Sequence, residues 1–306
     1  MTEDTAKDYK TLFKGIETLV SEPMARHTSF GVGGPAEVLV LPETKQDVAR
    51  ILRICREERL KTIIVGGGTN ILVPDSGIAG VVIRLLKLKQ KIVENRPDSK
   101  KVLLDIPAGY SLASVLRLCS KSGLEGAEFA AGIPGTIGGA VRMNAGTPTG
   151  SMSDIVASVE VTDSSGETNI IPREHLDFSY RCLDSINGVI TGVSLLLARE
   201  DRKVVRKRIY RNYIRKKTTQ PLLQKSAGCF FKNPVDGKPA GELIERCGLK
   251  GVKIGGAMVS PIHANFIVNT GSAVSRDILK LKDFILKEVF REFSIELQPE
   301  VIIKDE

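Results

Sequence analysis

Tryptophan is absent from this 306-residue chain, and cysteine is sparse, at positions 55, 119, 182, 229 and 247. The cysteine count is odd, the spacings are wide and no C-x-x-C pair occurs. That pattern excludes a disulfide framework and a zinc site and implies a reducing compartment. His27, His175 and His263 lie far apart in sequence, so no metal is expected. No run of about 18 apolar residues exists, so no membrane span is expected. The first stretch of chain is polar and mixed in charge, without the apolar centre of a signal peptide. A cytoplasmic location is the expectation. Internal repeats and low-complexity tracts are also missing.

What is present suits a soluble protein with a sizeable core: 42% hydrophobic and 26% charged residues. The length suggests about two or three domains. A net charge of +8, from 44 basic and 36 acidic residues, implies an anionic partner; nucleic acid, a phosphorylated metabolite and a nucleotide cofactor all satisfy it.

Apolar periodicity places a helical stripe near the N-terminus, with Leu12, Phe13, Ile16, Leu19 and Val20 on one face. Residues 36–42 alternate as a strand. Val48, Ile51, Leu52 and Cys55 share a helical face. Residues 61–65 read as a short buried strand and 80–85 as another, an α/β alternation. A second unit starts near residue 87, with a strand at 101–109, a helix at 111–123 ending on Gly123, a long loop at 126–146, a hairpin at 155–171 and a strand at 188–198. Residues 203–217 form a basic helix with eight Lys or Arg, closed by "TTQP". A third unit follows, with helices at "AGELIERCG" and 274–292 and strands at "HANFIVNTG" and "IELQPEVII".

Three glycine-rich stretches need an account. "FGVGGPAE" nominally satisfies G-x-G-x-x-A through Gly31, Gly33 and Ala36, but Pro35 intervenes and a strand follows, so it is not a Rossmann fingerprint. "VGGGTNILV" (65–73) follows a strand, and its three glycines let backbone N–H groups approach anionic oxygens. "GIPGTIGGAVRMNAG" (132–146) is the third. Neither of these two carries the lysine of a Walker A loop. One such loop alone is as readily a structural turn. Two of them in adjacent units favour a pyrophosphate held between them, and hence a dinucleotide bound without a Rossmann fold. The basic stretch 203–217 has Tyr210 and Tyr213 but no nucleic-acid motif, so no nucleic acid is expected.

The stretches "HTSFGVGGPAEVLV", "VGGGTNILVPDSGIAGVVIRL", "GAEFAAGIPGTIGGAVRMNAG", "FSYR", "SAGCFFKNP", "AGELIERCGLKG", "HANFIVN" and "LQPEV" occur in an order that resembles the UDP-N-acetylenolpyruvoylglucosamine reductase family. The resemblance runs from about residue 24 to residue 303, nearly the whole chain, and is to the shorter type without a substrate-covering insertion. It implies an α+β protein: a vanillyl-alcohol-oxidase-type FAD-binding fold of two α+β subdomains, at 1–86 and 87–204, and a substrate-binding domain at 205–306. It implies non-covalent FAD, NADPH as hydride source, and reduction of UDP-N-acetylglucosamine enolpyruvate to UDP-N-acetylmuramate in peptidoglycan precursor synthesis. A monomer is expected.

By motif match, Gly66, Gly67, Gly68, Thr69, Asn70 and Ile71, with Gly132, Ile133, Pro134, Gly135, Gly139, Asn144 and Gly146, would hold the cofactor. Arg181 would stabilise the enolate-like charge, Glu300 would act as a second acid, and Cys229 would donate a proton in a position where many members carry serine. Tyr180, Lys217 and Asn233 would bind substrate, while Ala227 and Gly228 would let it approach closely. Each has a plainer reading: an ordinary surface arginine, a strand-capping carboxylate, a packed thiol. Two alternatives remain, a related FAD oxidase acting on another substrate and a basic nucleic-acid-binding protein.

Overall fold

In the computed structural model, residues 8–235 and 237–304 are described. The chain opens with a single helical turn, α1 (Tyr9–Leu12), and strand β1 (Glu17–Pro23). The expected N-terminal stripe is therefore only partly helical: Gly15, at φ +86°, ends it, and Leu19 and Val20 lie in β1. The rest of the first unit is β2 (Pro35–Leu41), α2 (Lys45–Glu57), β3 (Thr62–Val65), β4 (Ile71–Leu72) and β5 (Ile78–Arg84). The sheet order is β1-β2-β5-β3, with β5 parallel to both β2 and β3 and β1 antiparallel to β2. Strand β3 is an edge strand rather than a buried one, with Thr62 and Ile64 exposed. Alternation along β2 sends Val38 and Val40 toward α2, while Leu39 and Leu41 fill the opposite face. A reciprocal Thr44–Asp47 capping box starts α2.

The second unit contains β6 (Val93–Asn95), β7 (Lys101–Pro107), α3 (Leu112–Ser122), β8 (Leu124–Glu125), α4 (Ile137–Arg142) and the short hairpin of β9 (Gly146–Thr147) and β10 (Gly150–Ser151). It continues with β11 (Val156–Thr162), β12 (Thr168–Pro172), β13 (Phe178–Ser179), β14 (Cys182–Leu183) and β15 (Val189–Arg199). Its main sheet runs β12-β11-β15-β7-β6, antiparallel throughout, with β8 on the far end of β15. Ser111 caps α3, and left-handed Gly123 ends it. The stretch expected as one long loop holds α4, capped by buried Thr136.

The third unit has α5 (Arg202–Thr219), α6 (Ala240–Arg246), a meander of β16 (Lys253–Ile254), β17 (Ala257–Val259) and β18 (Ile267–Asn269), α7 (Ser275–Phe293) and β19 (Ile302–Ile303). Helix α5, which the expected boundary at 204/205 places here, packs instead on the second unit: Val205 is buried, Arg208 pairs with Glu125, and Asn212 donates to the Glu128 carbonyl. The apolar core is likewise continuous between the first two sheets, while a separate cluster fills the third unit. Strand β19 returns to pair in parallel with β4. No described helix is long and apolar enough to cross a membrane.

Candidate active site

The two glycine loops meet face to face. A Cβ on Gly66 would lie 2.4 Å from Thr136 Oγ1, one on Gly67 2.9 Å from Gly135 Cα, and one on Gly135, at φ +112°, 2.8 Å from Thr69 Oγ1. Gly68 is left-handed, and its missing Cβ makes room for the His27 carbonyl. Side chains are thus excluded where the loops touch. Among the described residues, the backbone N–H groups of Gly66, Gly67, Gly68, Thr69, Asn70 and Gly135 donate to no protein acceptor. Such a row of uncommitted donors suits an anionic oxygen cluster, and a dinucleotide pyrophosphate fits it. Thr69 and Asn70 are half-buried beside it, whereas Ile71 is buried in β4 and serves the strand. Within 132–146, Ile133 packs on the core, and Pro134 and Gly139 are exposed. Asn144 clasps two neighbours, donating to the Ser179 carbonyl at 2.9 Å and accepting from Ser153 N at 3.1 Å.

That clasp fixes the β13–β14 hairpin, whose two turn residues are Tyr180 and Arg181. Arg181 is left-handed, at φ 59°, a conformation costing an L-residue about 1–3 kcal/mol. Its Nη1 donates to the Gly146 carbonyl at 3.2 Å, and its Cζ lies 5.2 Å from the Tyr180 ring centre. Its Nε stands 2.9 Å from Glu300 Oε1, in a charge contact that its N–H does not point along. Glu300 is held in turn by the first loop: Asn70 Nδ2 donates to its carbonyl at 3.1 Å, and Glu300 N donates to the Phe230 carbonyl at 2.8 Å. Burial raises the Glu300 carboxyl above its ordinary value, against the opposing pull of Arg181.

Cys229 lies next to Phe230 and therefore beside Glu300. It is half-buried, on the wall of a cleft of about 320 Å³ that also exposes Asn233, Glu242, Glu245 and His263. Burial pushes its thiol up to about 12, reinforced by Glu300 and opposed by Arg181 and Lys216. At neutral pH it is a protonated thiol. The backbone behind it is locked by buried Asn265, which accepts from Phe231 N at 2.9 Å and donates to the Phe231 carbonyl at 2.8 Å. Gly228, at φ +83°, has open space where a Cβ would stand, but Ala227 is packed in the third unit's core and cannot line an approach.

The two remaining expectations fare differently. Asn233 sits in the Cys229 cleft, where its Oδ1 accepts from Ala240 N at 3.0 Å at the start of α6. Lys217 is exposed on α5, and it is Lys216 that turns inward, against Gly132 and toward Cys229 and Arg181. Burial lowers its ammonium to about 8. Sequence reasoning passed over both Lys216 and Asn265. The spacing Val205, Ile209, Asn212, Lys216 on α5 carried the signal for the first, and nothing local marked the second.

Residues 220–304 match a family model described as UDP-N-acetylenolpyruvoylglucosamine reductase, C-terminal domain, and residues 36–171 match that of an FAD binding domain. The chain is 43% identical over 290 residues to the UDP-N-acetylenolpyruvoylglucosamine reductase of Desulfosudis oleivorans, covering 92% of this chain and 93% of that one. It is 40% identical over 308 residues to the protein of the same name from Caldanaerobacter subterraneus, end to end in both, which fits the shorter type. The crystal structure of UDP-N-acetylenolpyruvylglucosamine reductase from Thermus caldophilus superposes with a TM-score of 0.79 at 33% identity, covering 95% of this chain and 99% of that one. The α+β architecture with an FAD-binding part, expected from the sequence, accords with these matches. Near-complete coverage at such identity, together with an anion-ready loop pair abutting Arg181, Glu300 and Cys229, places the chain in the UDP-N-acetylenolpyruvoylglucosamine reductase family.

Proposed function

We propose that the protein reduces the enolpyruvyl ether of UDP-N-acetylglucosamine to UDP-N-acetylmuramate, using FAD and NADPH, in peptidoglycan precursor synthesis. The observation that carries this reading is that both glycine loops end on the acid–base group. Asn70 of the first bonds the Glu300 backbone, and Gly146 of the second accepts from Arg181. Residues 1–86 and 87–204 would hold FAD, and 205–306 would hold the substrate, with α5 fixed to the second unit.

Bound FAD supplies the redox chemistry, passing reducing equivalents from NADPH to the vinyl group. The protein's own task is to manage charge and protons. Arg181 places a fixed cation where negative charge grows toward the substrate carboxylate. Glu300, biased toward its acid form by burial, donates to the same oxygens. Cys229 keeps its proton at neutral pH and gives it to carbon. Asn233 and Tyr180 border the approach from the cleft and from the hairpin tip.

The test is anaerobic. Purified protein should show a yellow flavin spectrum, NADPH should bleach it, and the enolpyruvyl ether should restore it with release of the lactyl product. A colourless protein, or a reduced flavin that the enolpyruvyl ether leaves unchanged while a small alcohol and oxygen support turnover, overturns the reading.

A further inference from the structure

The stretch "HANFIVN" carries a histidine that the reading above leaves without a task. His263 stands in the turn between β17 and β18, where buried Ser260 accepts from the N–H groups of Ile262 at 3.2 Å and His263 at 3.5 Å. Its Nδ1 accepts from Asn265 N at 3.2 Å, and its ring meets Phe266 edge-on with 5.0 Å between centres. A Cβ on Gly241 of α6 would press on its Cε1 at 3.1 Å, so the bare helix backbone makes room for the ring. Asn265 ties this turn to the reacting segment: its carbonyl accepts from Phe230 N at 2.7 Å, and its side chain bonds Phe231 in both directions. The imidazole is thereby fixed relative to Cys229, and both border the cleft of about 320 Å³. With Nδ1 an acceptor, the ring proton sits on Nε2. Among the described residues that Nε2–H makes no hydrogen bond, and it opens on the cleft. Burial, aided by Lys250 and opposed by Glu245, lowers the imidazolium below its ordinary value, so the ring is a neutral donor at neutral pH. In the same cleft Asn233 has spent its Oδ1 on Ala240 N, which leaves its Nδ2 as a second donor. The carboxylates there are already paired, Glu242 with Lys238 and Arg246 and Glu245 with Lys250. The other histidines differ: His27 commits both ring nitrogens, to Glu22 and Arg84, and His175 is exposed on the second unit.

We propose that His263 is a substrate-binding residue: its Nε2–H donates to an acceptor oxygen of the sugar nucleotide, beside Asn233 Nδ2–H, and so fixes how the enolpyruvyl group is presented to Cys229. The inference rests on the proposed function. The diphosphate and the acetamido group of the sugar both offer such an oxygen. A ring locked by its own backbone loses little freedom on binding, and so orients the ligand at small entropic cost. Two donors left open in a half-buried cleft also give selectivity, because a ligand lacking the oxygen leaves them unpaired.

Calorimetric titration of the oxidised holoenzyme with UDP and with UDP-N-acetylglucosamine, in the parent, His263→Asn and His263→Gln, tests the idea. The asparagine amide reaches the place of Nδ1 and keeps the bond to Asn265 N. The glutamine amide reaches the place of Nε2 and keeps the donor. His263→Asn should therefore bind about tenfold more weakly, the effect of one lost hydrogen bond, and His263→Gln should recover most of the affinity. A ring needed only to brace the turn gives the opposite order. Loss toward both ligands assigns the oxygen to the diphosphate, and loss toward UDP-N-acetylglucosamine alone assigns it to the acetamido group. In turnover the His263→Asn deficit should fall mainly on KM, with flavin content and far-ultraviolet circular dichroism like the parent's. Equal affinities in the parent and His263→Asn, or no recovery in His263→Gln, overturns the proposal. If the parent itself binds neither ligand, the proposed function falls and takes this inference with it, an outcome distinct from equal binding by both proteins.

Discussion

At the scale of single residues, the site stores opposed tendencies. Cys229 and Glu300 are both pushed toward their protonated forms by burial, while Arg181 pulls the other way on each. On the proposed function, removing the thiol should separate the two halves of the reaction. Cys229→Ala should lose about 10²–10⁴-fold in product formation, the usual range for a general acid, while NADPH still reduces the flavin at the normal rate. Cys229→Ser should keep much of the activity. Stopped-flow measurement of the two half-reactions decides both. Glu300 carries a stability signature as well. Its folded pKa lies above the unfolded value, so the folded state binds the extra proton, and its contribution is fully present below the unfolded pKa and is lost as pH rises through the folded one. Glu300→Gln should therefore gain thermal stability relative to the parent as pH rises from acid to neutral, even as activity falls. Parallel melts of the two proteins across pH check the sign.

At the scale of elements, the chemistry depends on short turns rather than on the long helices. The β13–β14 turn tolerates a left-handed Arg181 because Asn144 and Gly146 hold the hairpin from beneath. The two glycine loops approach until backbone meets backbone, and there the lack of a side chain is the functional feature. Gly135→Ala adds a Cβ 2.8 Å from Thr69 Oγ1 at a φ of +112°, for about 1–3 kcal/mol of strain. The expected outcome is a protein with unchanged far-ultraviolet circular dichroism and flavin affinity weakened at least about tenfold, read from flavin absorbance per chain and from fluorescence titration. Helix α5 shows how an element decides which of two adjacent lysines turns inward. Its inward face repeats through Val205, Ile209, Asn212 and Lys216, so Lys217 falls one position off and points to water.

At the scale of the whole molecule, the third unit is fastened to the first by polar contacts across a long stretch of chain. Asp75 accepts from the N–H groups of Ser275 at 2.8 Å and Arg276 at 3.0 Å, so a carboxylate of the first unit caps α7. Ser275 also bonds the Val73 carbonyl, and Asn269 donates to the Phe30 carbonyl at 2.9 Å. These ties, with β19 laid along β4, set Glu300 against Asn70 and so bring the acid to the loop. Asp75→Ala should cost about 0.5–2 kcal/mol of stability, the range for a lost cap, seen as a lower urea midpoint. A variant with an unaltered midpoint denies Asp75 that role.

The sequence by itself determined what is local. Apolar period placed α2 and α3, with Ser111 and Gly123 bounding the second. The glycine runs marked backbone that must be approached closely, and motif order pointed to Arg181, Cys229 and Glu300. The N-terminal stripe misled because period alone could not see Gly15 turn the chain from helix to strand. Only the tertiary structure decided which groups meet. Arg181 and Glu300 pair across more than a hundred residues, Lys216 rather than Lys217 turns inward against Gly132, and Asn265 locks the backbone behind Cys229. Local pattern reports the face a residue occupies, whereas desolvation and charge pairing arise only when distant segments exclude water together.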